Sequence, residues 1–240
     1  MIEIATIAFR DPRLIAEQVR LFEKFLLDEY DLLVCVNDER MHHDGLNGAA
    51  ETLLEGDAPY IGFIDHDVFP VRPTTLIDKI EEAGFYGIGQ RHPATGHLYL
   101  WPGFCFFSRE WLAGRPLNFS GIRDGDKRND GDTGSMNWPL FVDEDWSKLY
   151  KMEHGYKPIR RPDAHGLQSW GYETFGDWLH FSNASHWKSI PKPKERDRLL
   201  FDLFLSRLCT HTQPEQNQVR SHPRLRRDLQ MLDAKCYSFT

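Results

Sequence analysis

Residues 60–70 join an apolar run to two aspartates one residue apart, in the sequence Tyr-Ile-Gly-Phe-Ile-Asp-His-Asp-Val-Phe-Pro. The apolar part is typical of a buried strand, and the polar residues after it predict where this strand leaves the sheet. Because side chains alternate along an extended chain, Asp65 and Asp67 share one face and His66 points to the other. Two such carboxylates can hold a hard divalent cation. Alone, the short motif fits a polar strand end before the turn at Pro70 equally well.

The segments before the motif alternate between strand and helix patterns. The predicted order is strand, helix, strand, loop, helix and strand, over residues 2–9, 12–26, 31–36, 41–45, 46–54 and 60–64. Such closely spaced units predict a parallel sheet with right-handed crossovers, and therefore an α/β fold. The carboxyl ends of parallel strands meet at one edge, where these sheets bind ligands. We expect Arg10, Asp38 and the residues from Asp65 to Asp67 to lie together at that edge.

The segments after the motif complete the predicted fold. They comprise a helix after Pro73, a strand at 85–89, an apolar run at 98–108, a loop at 119–132 and a helical segment at 136–154. The apolar run contains Pro102 and Gly103, which predict a core strand with a bend. The loop is rich in glycine and charged residues, as is typical of active-site lids. The last helix should break at Pro139.

Composition narrows the class of protein. The 240 residues, 40% of them hydrophobic, can bury one sizeable core, so we predict a main domain over residues 1–190 and a C-terminal helical appendage over 191–240. The net charge of −7 gives no reason to expect nucleic acid as a partner. The four cysteines lack Cys-x-x-Cys spacing, which indicates reduced thiols. No signal peptide or transmembrane segment is visible, so a cytoplasmic location is expected.

The first part of the chain resembles the nucleotide-binding half of GT-A glycosyltransferases, in the Asp65-x-Asp67 motif and in Asn47-Gly48 before it. The resemblance implies a GT-A, Rossmann-like three-layer sandwich around a mostly parallel sheet, with C-terminal helices. It also implies transfer of a sugar from a nucleotide diphosphate, with a UDP-sugar favoured, to a hydroxyl of a glycan or lipid-linked acceptor. Only two predicted strands precede the motif, fewer than in most family 2 members, so this would be a compact version.

The same resemblance assigns roles to residues at the ligand edge. It implies that Asp65 and Asp67 hold the metal and that Asp38 contacts the base. Gly103 would let the backbone approach the donor sugar, and Trp101 would offer it an aromatic face. The candidate donor-binding residues are Arg10, Asp38, Asp65, His66, Gly103 and His186.

A second constellation begins at His180. It resembles the His-x-x-Gly-x-x-Lys-Pro-Trp segment of the glycogenin and bacterial galactosyltransferase group, in which the histidine is the third metal ligand. Asn183 and His186 stand where that group has Gly and Lys, so His186, Lys188 or Lys192 would meet the diphosphate. Two carboxylates and an imidazole suit Mn²⁺ better than Mg²⁺, the alternative metal.

Two acids compete for the role of orienting or deprotonating the acceptor hydroxyl. We favour Asp132, because the glycines of its Gly-Asp-Thr-Gly context allow close approach by a substrate. Asp145 is the second choice, because Glu144-Asp145, followed by Gly155-Tyr156-Lys157, resembles a family 2 element. An ordinary helix cap is the alternative role for Asp132. His42 and His43 are expected to be ordinary structural residues.

The end of the chain carries further hypotheses. Residues 199–208 predict a helix that is apolar around most of its girth, which would pack on the core or form a dimer. The arginines of residues 220–227 fit a charged helix face or peripheral contact with an anionic membrane.

Two other functions compete with glycosyl transfer. A nucleotidyltransferase acting on sugar phosphates should carry a glycine-rich basic loop after its first strand, which Ala8 to Pro12 does not provide. A non-catalytic domain could bind glycans through Trp101, Trp138 and Trp170 without turnover.

Overall fold

The computed structural model describes residues 1–8, 12–36, 42–91, 96–121, 133–146, 157–158 and 171–181. The predictions for Arg10, Asp38, Asp132 and His186 lie outside these residues, as do all those for residues 191–240. The described elements are β1 (Ile2–Ala8), α1 (Pro12–Phe25), β2 (Tyr30–Val36), α2 (His42–Glu55), β3 (Tyr60–Asp65), β4 (Val68–Pro70), α3 (Ile77–Glu81), β5 (Phe85–Arg91), β6 (Leu98–Ser108), α4 (Arg109–Leu112), a 3-10 helix (Ser135–Phe141), β7 (Lys157–Pro158), β8 (Gly171–Phe175) and β9 (Trp178–His180).

Five strands form the main sheet, in the order β2-β1-β3-β6-β5. Strand β1 pairs in parallel with both β2 and β3. Strand β6 is antiparallel to its neighbours β3 and β5, so β5 runs in the same direction as the first three strands. The predicted mostly parallel sheet is therefore confirmed, with β6 as its reversed strand.

Each face of the main sheet has its own layer of apolar packing. On β1, Ile4 belongs to one core cluster and Ala5 to the other, as the alternation of an extended strand requires. Phe22 of α1 and Ile80 of α3 pack in the first cluster. Leu53 of α2 packs in the second. Helices on both faces make this a Rossmann-like α/β sandwich of three layers, consistent with the GT-A fold.

A second, antiparallel sheet in the order β4-β9-β8-β7 adjoins the end of β3. Strand β4 starts three residues after the last residue of β3, and its Val68 lies opposite His180 of β9. The two predicted constellations therefore meet where the chain passes from one sheet to the other.

Strand β6 is interrupted by a large bulge. Gly87 of β5 pairs with Cys105 and Gly89 pairs with Leu100, so Ile88 lies opposite the four residues 101–104. The bulge coincides with the bend that Pro102 and Gly103 predicted. Bulges of this kind redirect side chains beside functional sites.

Two helix predictions are wrong in their extent. Helix α2 begins at His42, so residues 42–45 are not loop. Asp44 in its first turn favours this earlier start, because a negative charge interacts well with the positive end of the helix dipole. The segment predicted to be helical from residue 136 begins as a short 3-10 helix that ends at Phe141 and is followed by turns, and residues 147–154 of that prediction lie outside the described residues. Pro139 lies inside it and has no N–H to donate to an α-helical bond.

The described residues also bear on the predictions about the cysteines and about membrane-spanning helices. Cys35 and Cys105 are free thiols there. No described helix combines the length and the apolar character that crossing a bilayer requires.

Gly62 in the centre of β3 is required by close packing, because a Cβ at this position would overlap the ring of Phe106. We expect Gly62→Ala to destabilise the protein by about 1–3 kcal/mol through overpacking. Gly48 in α2 has open space at the same position, so Gly48→Ala should stabilise by about 0.5–1 kcal/mol. Urea unfolding of both variants checks this, and equal stability of the two would contradict the packing.

Candidate metal centre

Three side chains that each offer a possible metal-ligand atom converge at the junction of the two sheets. Asp65 is the last residue of β3, Asp67 follows in the turn before β4, and His180 ends β9. One ligand atom from each lies within 4.8 Å of the other two, and His180 Nε2 is 3.6 Å from Asp67 Oδ1. The side chains of Asp65, Asp67 and His180 are only 17%, 8% and 12% exposed.

The turn that carries Asp67 is held from outside by hydrogen bonds to its backbone. The Gln18 side chain of α1 is fully buried, and its Nε2 donates to the carbonyls of Asp65 at 2.8 Å and Val68 at 3.0 Å. The N–H of Phe181 donates to the carbonyl of Asp67 at 2.8 Å. Helix α1 and the residue that follows β9 thus hold the main chain from Asp65 to Val68.

Gly103 and Trp101, both in the β6 bulge, form the wall of the site. A Cβ at Gly103 would lie 2.5 Å from Asp65 Oδ2 and would overlap the Trp101 indole. The centroids of the Trp101 and His180 rings are 4.6 Å apart, with an interplanar angle of 46°. Gly103 therefore lets the backbone lie close to Asp65, a candidate metal ligand, and its predicted approach to a donor sugar stays a prediction.

The pKa values of the Asp65 and Asp67 carboxyl groups shift in opposite directions. Burial alone would raise the pKa of Asp65, but nearby histidines outweigh it, and its pKa lies below the ordinary 3.8. His42 contributes most to this lowering, by its charge and a hydrogen bond, followed by His180 and His66. Burial dominates at Asp67 and raises its pKa above 3.8, with help from the charge of Asp65 and against the opposing charges of His180 and His66.

Two further histidines flank the cluster. His42 at the start of α2 places Nε2 3.3 Å from Asp65 Oδ1. His42 was not predicted to be a site residue, although it follows the second predicted strand and the chain there lies at the same sheet edge as Asp65. His66 is 6% exposed, and its buried Nε2 has no hydrogen-bond partner among the residues described.

Of the two candidates for the acceptor role, Asp132 lies outside the described residues and Asp145 lies within them. Gly134, two residues after Asp132, packs on the β6 bulge, where its Cβ would lie 3.0 Å from Pro102 Cδ. Asp145 is exposed. It adjoins Glu144, whose carboxylate accepts hydrogen bonds from Trp111 Nε1 and Arg115. Trp111 lies in α4, just after the end of β6 that pairs with the start of β3. Asp65 is at the other end of β3, so Glu144 and Trp111 lie at the opposite edge of the sheet from Asp65.

The donor set suits a divalent cation. Two carboxylates so close together and nearly buried repel each other, and a bound cation would remove that repulsion. Carboxylate oxygens and an imidazole nitrogen match the ligands of Mn²⁺ and related metals, whereas Mg²⁺ prefers oxygen alone. The Asp65–Asp67–His180 group can therefore hold a divalent metal ion and leave coordination positions for a ligand.

Comparisons with known proteins give partial likenesses in fold. The crystal structure of A197 from STIV matches with a TM-score of 0.37 and 15% sequence identity, over 58% of this chain and 77% of that one. The crystal structure of S. aureus TarS matches with a TM-score of 0.35 and 14% identity, over 49% of this chain and 30% of TarS. No family model and no curated protein matches the sequence. A functional assignment therefore depends on the chemistry of the site.

Gln18→Leu tests the hydrogen bonds that hold the turn. Leucine has a similar volume but cannot donate, so the carbonyls of Asp65 and Val68 lose their partner. We expect a loss of about 1–3 kcal/mol in the free energy of unfolding and weaker binding of Mn²⁺. Arg20→Ala on the exposed face of the same helix is the control. Urea unfolding and calorimetric titration with Mn²⁺ measure both effects, and wild-type values for both would contradict the role of Gln18.

Asp67→Asn tests the cost of the buried charge. Because the folded pKa of Asp67 is raised, its ionised form destabilises the metal-free fold at neutral pH. The variant should therefore melt at a higher temperature than the wild type in chelator, but lose the stabilisation by Mn²⁺. The difference in melting temperature between the variant and the wild type should shrink as the pH falls from the folded pKa towards 3.8, because the wild-type carboxyl then binds a proton. A lower melting temperature at neutral pH would refute this.

Proposed function

We propose that the protein is a metal-dependent glycosyltransferase that moves a sugar from a nucleotide diphosphate, with a UDP-sugar favoured, to an acceptor hydroxyl. The observation that carries the proposal is the nearly buried Asp65, Asp67 and His180 cluster, with ligand atoms within 4.8 Å of one another. It lies at the carboxyl edge of the parallel strands, the ligand edge of an α/β sheet.

The proposed metal is Mn²⁺, bound by Asp65, Asp67 and His180. When bound there with the donor, it would neutralise charge on the leaving diphosphate. The protein groups contribute a fixed geometry, because Gln18 and Phe181 hold the backbone of the turn before any ligand arrives. A preformed site of this kind has little reorganisation to undergo during transfer.

The donor would extend from the metal along the wall formed by the β6 bulge. Gly103 has no side chain to block this approach, and half-buried Trp101 beside His180 would offer its remaining surface to the sugar. Asp38 is proposed to select the base, and Arg10, His66 and His186 remain proposed donor contacts.

Asp132 is proposed to serve the acceptor hydroxyl. The packing of Gly134 against Pro102 supports this choice, because it anchors the chain two residues from Asp132 beside the bulge that borders the metal ligands. The position of Glu144 near Trp111 and Arg115 makes the adjacent Asp145 the weaker candidate.

Hydrolysis or transfer of a panel of nucleotide-sugars with Mn²⁺ tests the proposal. Asp67→Ala and His180→Ala should each lower activity at least about 100-fold, because a bound metal contributes several kcal/mol to catalysis. Exposed Asp57→Ala should retain full activity. Full activity of Asp67→Ala in the presence of chelator would refute metal dependence.

The same panel separates catalysis from binding. If UDP and Mn²⁺ together raise the melting temperature but no nucleotide-sugar is consumed, the protein is a nucleotide-sugar-binding domain and the proposed enzyme activity is wrong. If neither UDP nor Mn²⁺ shifts the melting temperature, both the donor and the metal assignment fail.

A further inference from the structure

His42 makes a specific contact with one oxygen of a proposed metal ligand. It is the first residue of α2, and its Nε2 lies 3.3 Å from Asp65 Oδ1. Its side chain is 44% exposed, whereas that of Asp65 is 17% exposed. His42 is not one of the three residues whose ligand atoms lie within 4.8 Å of one another. It therefore contacts the cluster from outside.

The two oxygens of Asp65 have different surroundings. Oδ1 faces His42, while Oδ2 lies over Gly103, at the point where the Trp101 indole also approaches. Trp101 in turn packs on His180. One oxygen is thus directed towards α2, and the other towards the wall formed by Gly103 and Trp101, on which His180 packs.

The orientation of an aspartate carboxylate is not determined by its own torsion preferences. Rotation about χ2 of Asp is broad, so a bound partner must select one orientation. Gly103 leaves room beside Oδ2, because it has no side chain to restrict that oxygen. Among the contacts described above, the hydrogen bond from His42 is the one that selects the orientation from the helix side.

We propose that His42 is a positioning residue that orients the carboxylate of Asp65 for metal binding, an inference that rests on the metal site of the proposed function. The Nε2–H of His42 holds Oδ1, which keeps Oδ2 on the side of Gly103 and Trp101. Hydrogen-bonded partners of metal ligands commonly change metal affinity by about 10- to 100-fold when removed. His42 would thus act on the metal through Asp65, without binding the metal itself.

His43 provides a matched control. It is the next residue on the same turn of α2, and its Nε2 lies 3.5 Å from Asp44 Oδ1. Its side chain is 27% exposed, and no contact joins it to the ligand cluster among the contacts described. Removal of its imidazole should leave metal binding unchanged.

The experiment measures the affinity of the full chain for Mn²⁺ alone, by isothermal titration calorimetry of wild type, His42→Ala, His42→Gln and His43→Ala. We expect about 10- to 100-fold weaker binding for His42→Ala and wild-type binding for His43→Ala. The glutamine amide can donate from a similar position, so His42→Gln should restore most of the affinity. In chelator, His43→Ala should melt as the wild type does, whereas His42→Ala should melt somewhat lower, because the nearly buried Asp65 loses a hydrogen-bond partner.

The outcomes separate the inference from the proposed function. If His42→Ala binds Mn²⁺ as the wild type does while Asp67→Ala does not, the positioning role is wrong and the metal site stands. If His42→Gln is as weak as His42→Ala, a donated hydrogen bond is not the cause and the inference fails. If the wild type does not bind Mn²⁺, the metal site itself is wrong and the inference falls with it.

Discussion

The structure depends on the placement of two carboxylates where water cannot easily screen them. At a separation of about 4 Å, two like charges in a partly buried protein environment repel by roughly 4 kcal/mol. A fold that keeps Asp65 and Asp67 almost buried must therefore supply positive charge, from histidines or from a cation. The cluster of His42, His66 and His180 around these aspartates supplies part of it and opposes the effect of burial.

The surrounding fold holds these charges in place mainly through backbone contacts. The buried Gln18 side chain on α1 donates hydrogen bonds to two carbonyls of the turn. The antiparallel pairing of β4 with β9 brings His180 opposite Val68. The bulge in β6 places Gly103, which has no side chain, against Asp65. The main sheet, the small sheet and α1 therefore all contribute to one site, and none of them would form it alone.

The parts of this arrangement that follow from local patterns were predicted from the sequence. Apolar runs of strand length and a helical repeat gave the order from β1 to β3, and the polar residues after the apolar run placed Asp65 and Asp67 at a strand end. Periodicity did not give the start of α2, because residues 41–45 carry no apolar repeat and resemble a loop. Because residues 42–45 were predicted to be loop, the contact of His42 with Asp65 was not predicted. In the structure His42 is the first residue of α2 and lies beside Asp65.

By itself, the sequence determined the order of strands and helices from β1 to β3 and placed two carboxylates that can bind a metal at the end of β3, because these properties depend on residues close together in the chain. His180 was proposed only through resemblance to a motif, since it is more than a hundred residues from Asp67. The tertiary structure decided that these residues meet, that β6 runs antiparallel within the sheet, and that Gln18 reaches across 47 positions to the carbonyl of Asp65. Such contacts depend on strand register and on packing between layers, and no local pattern in the chain specifies either.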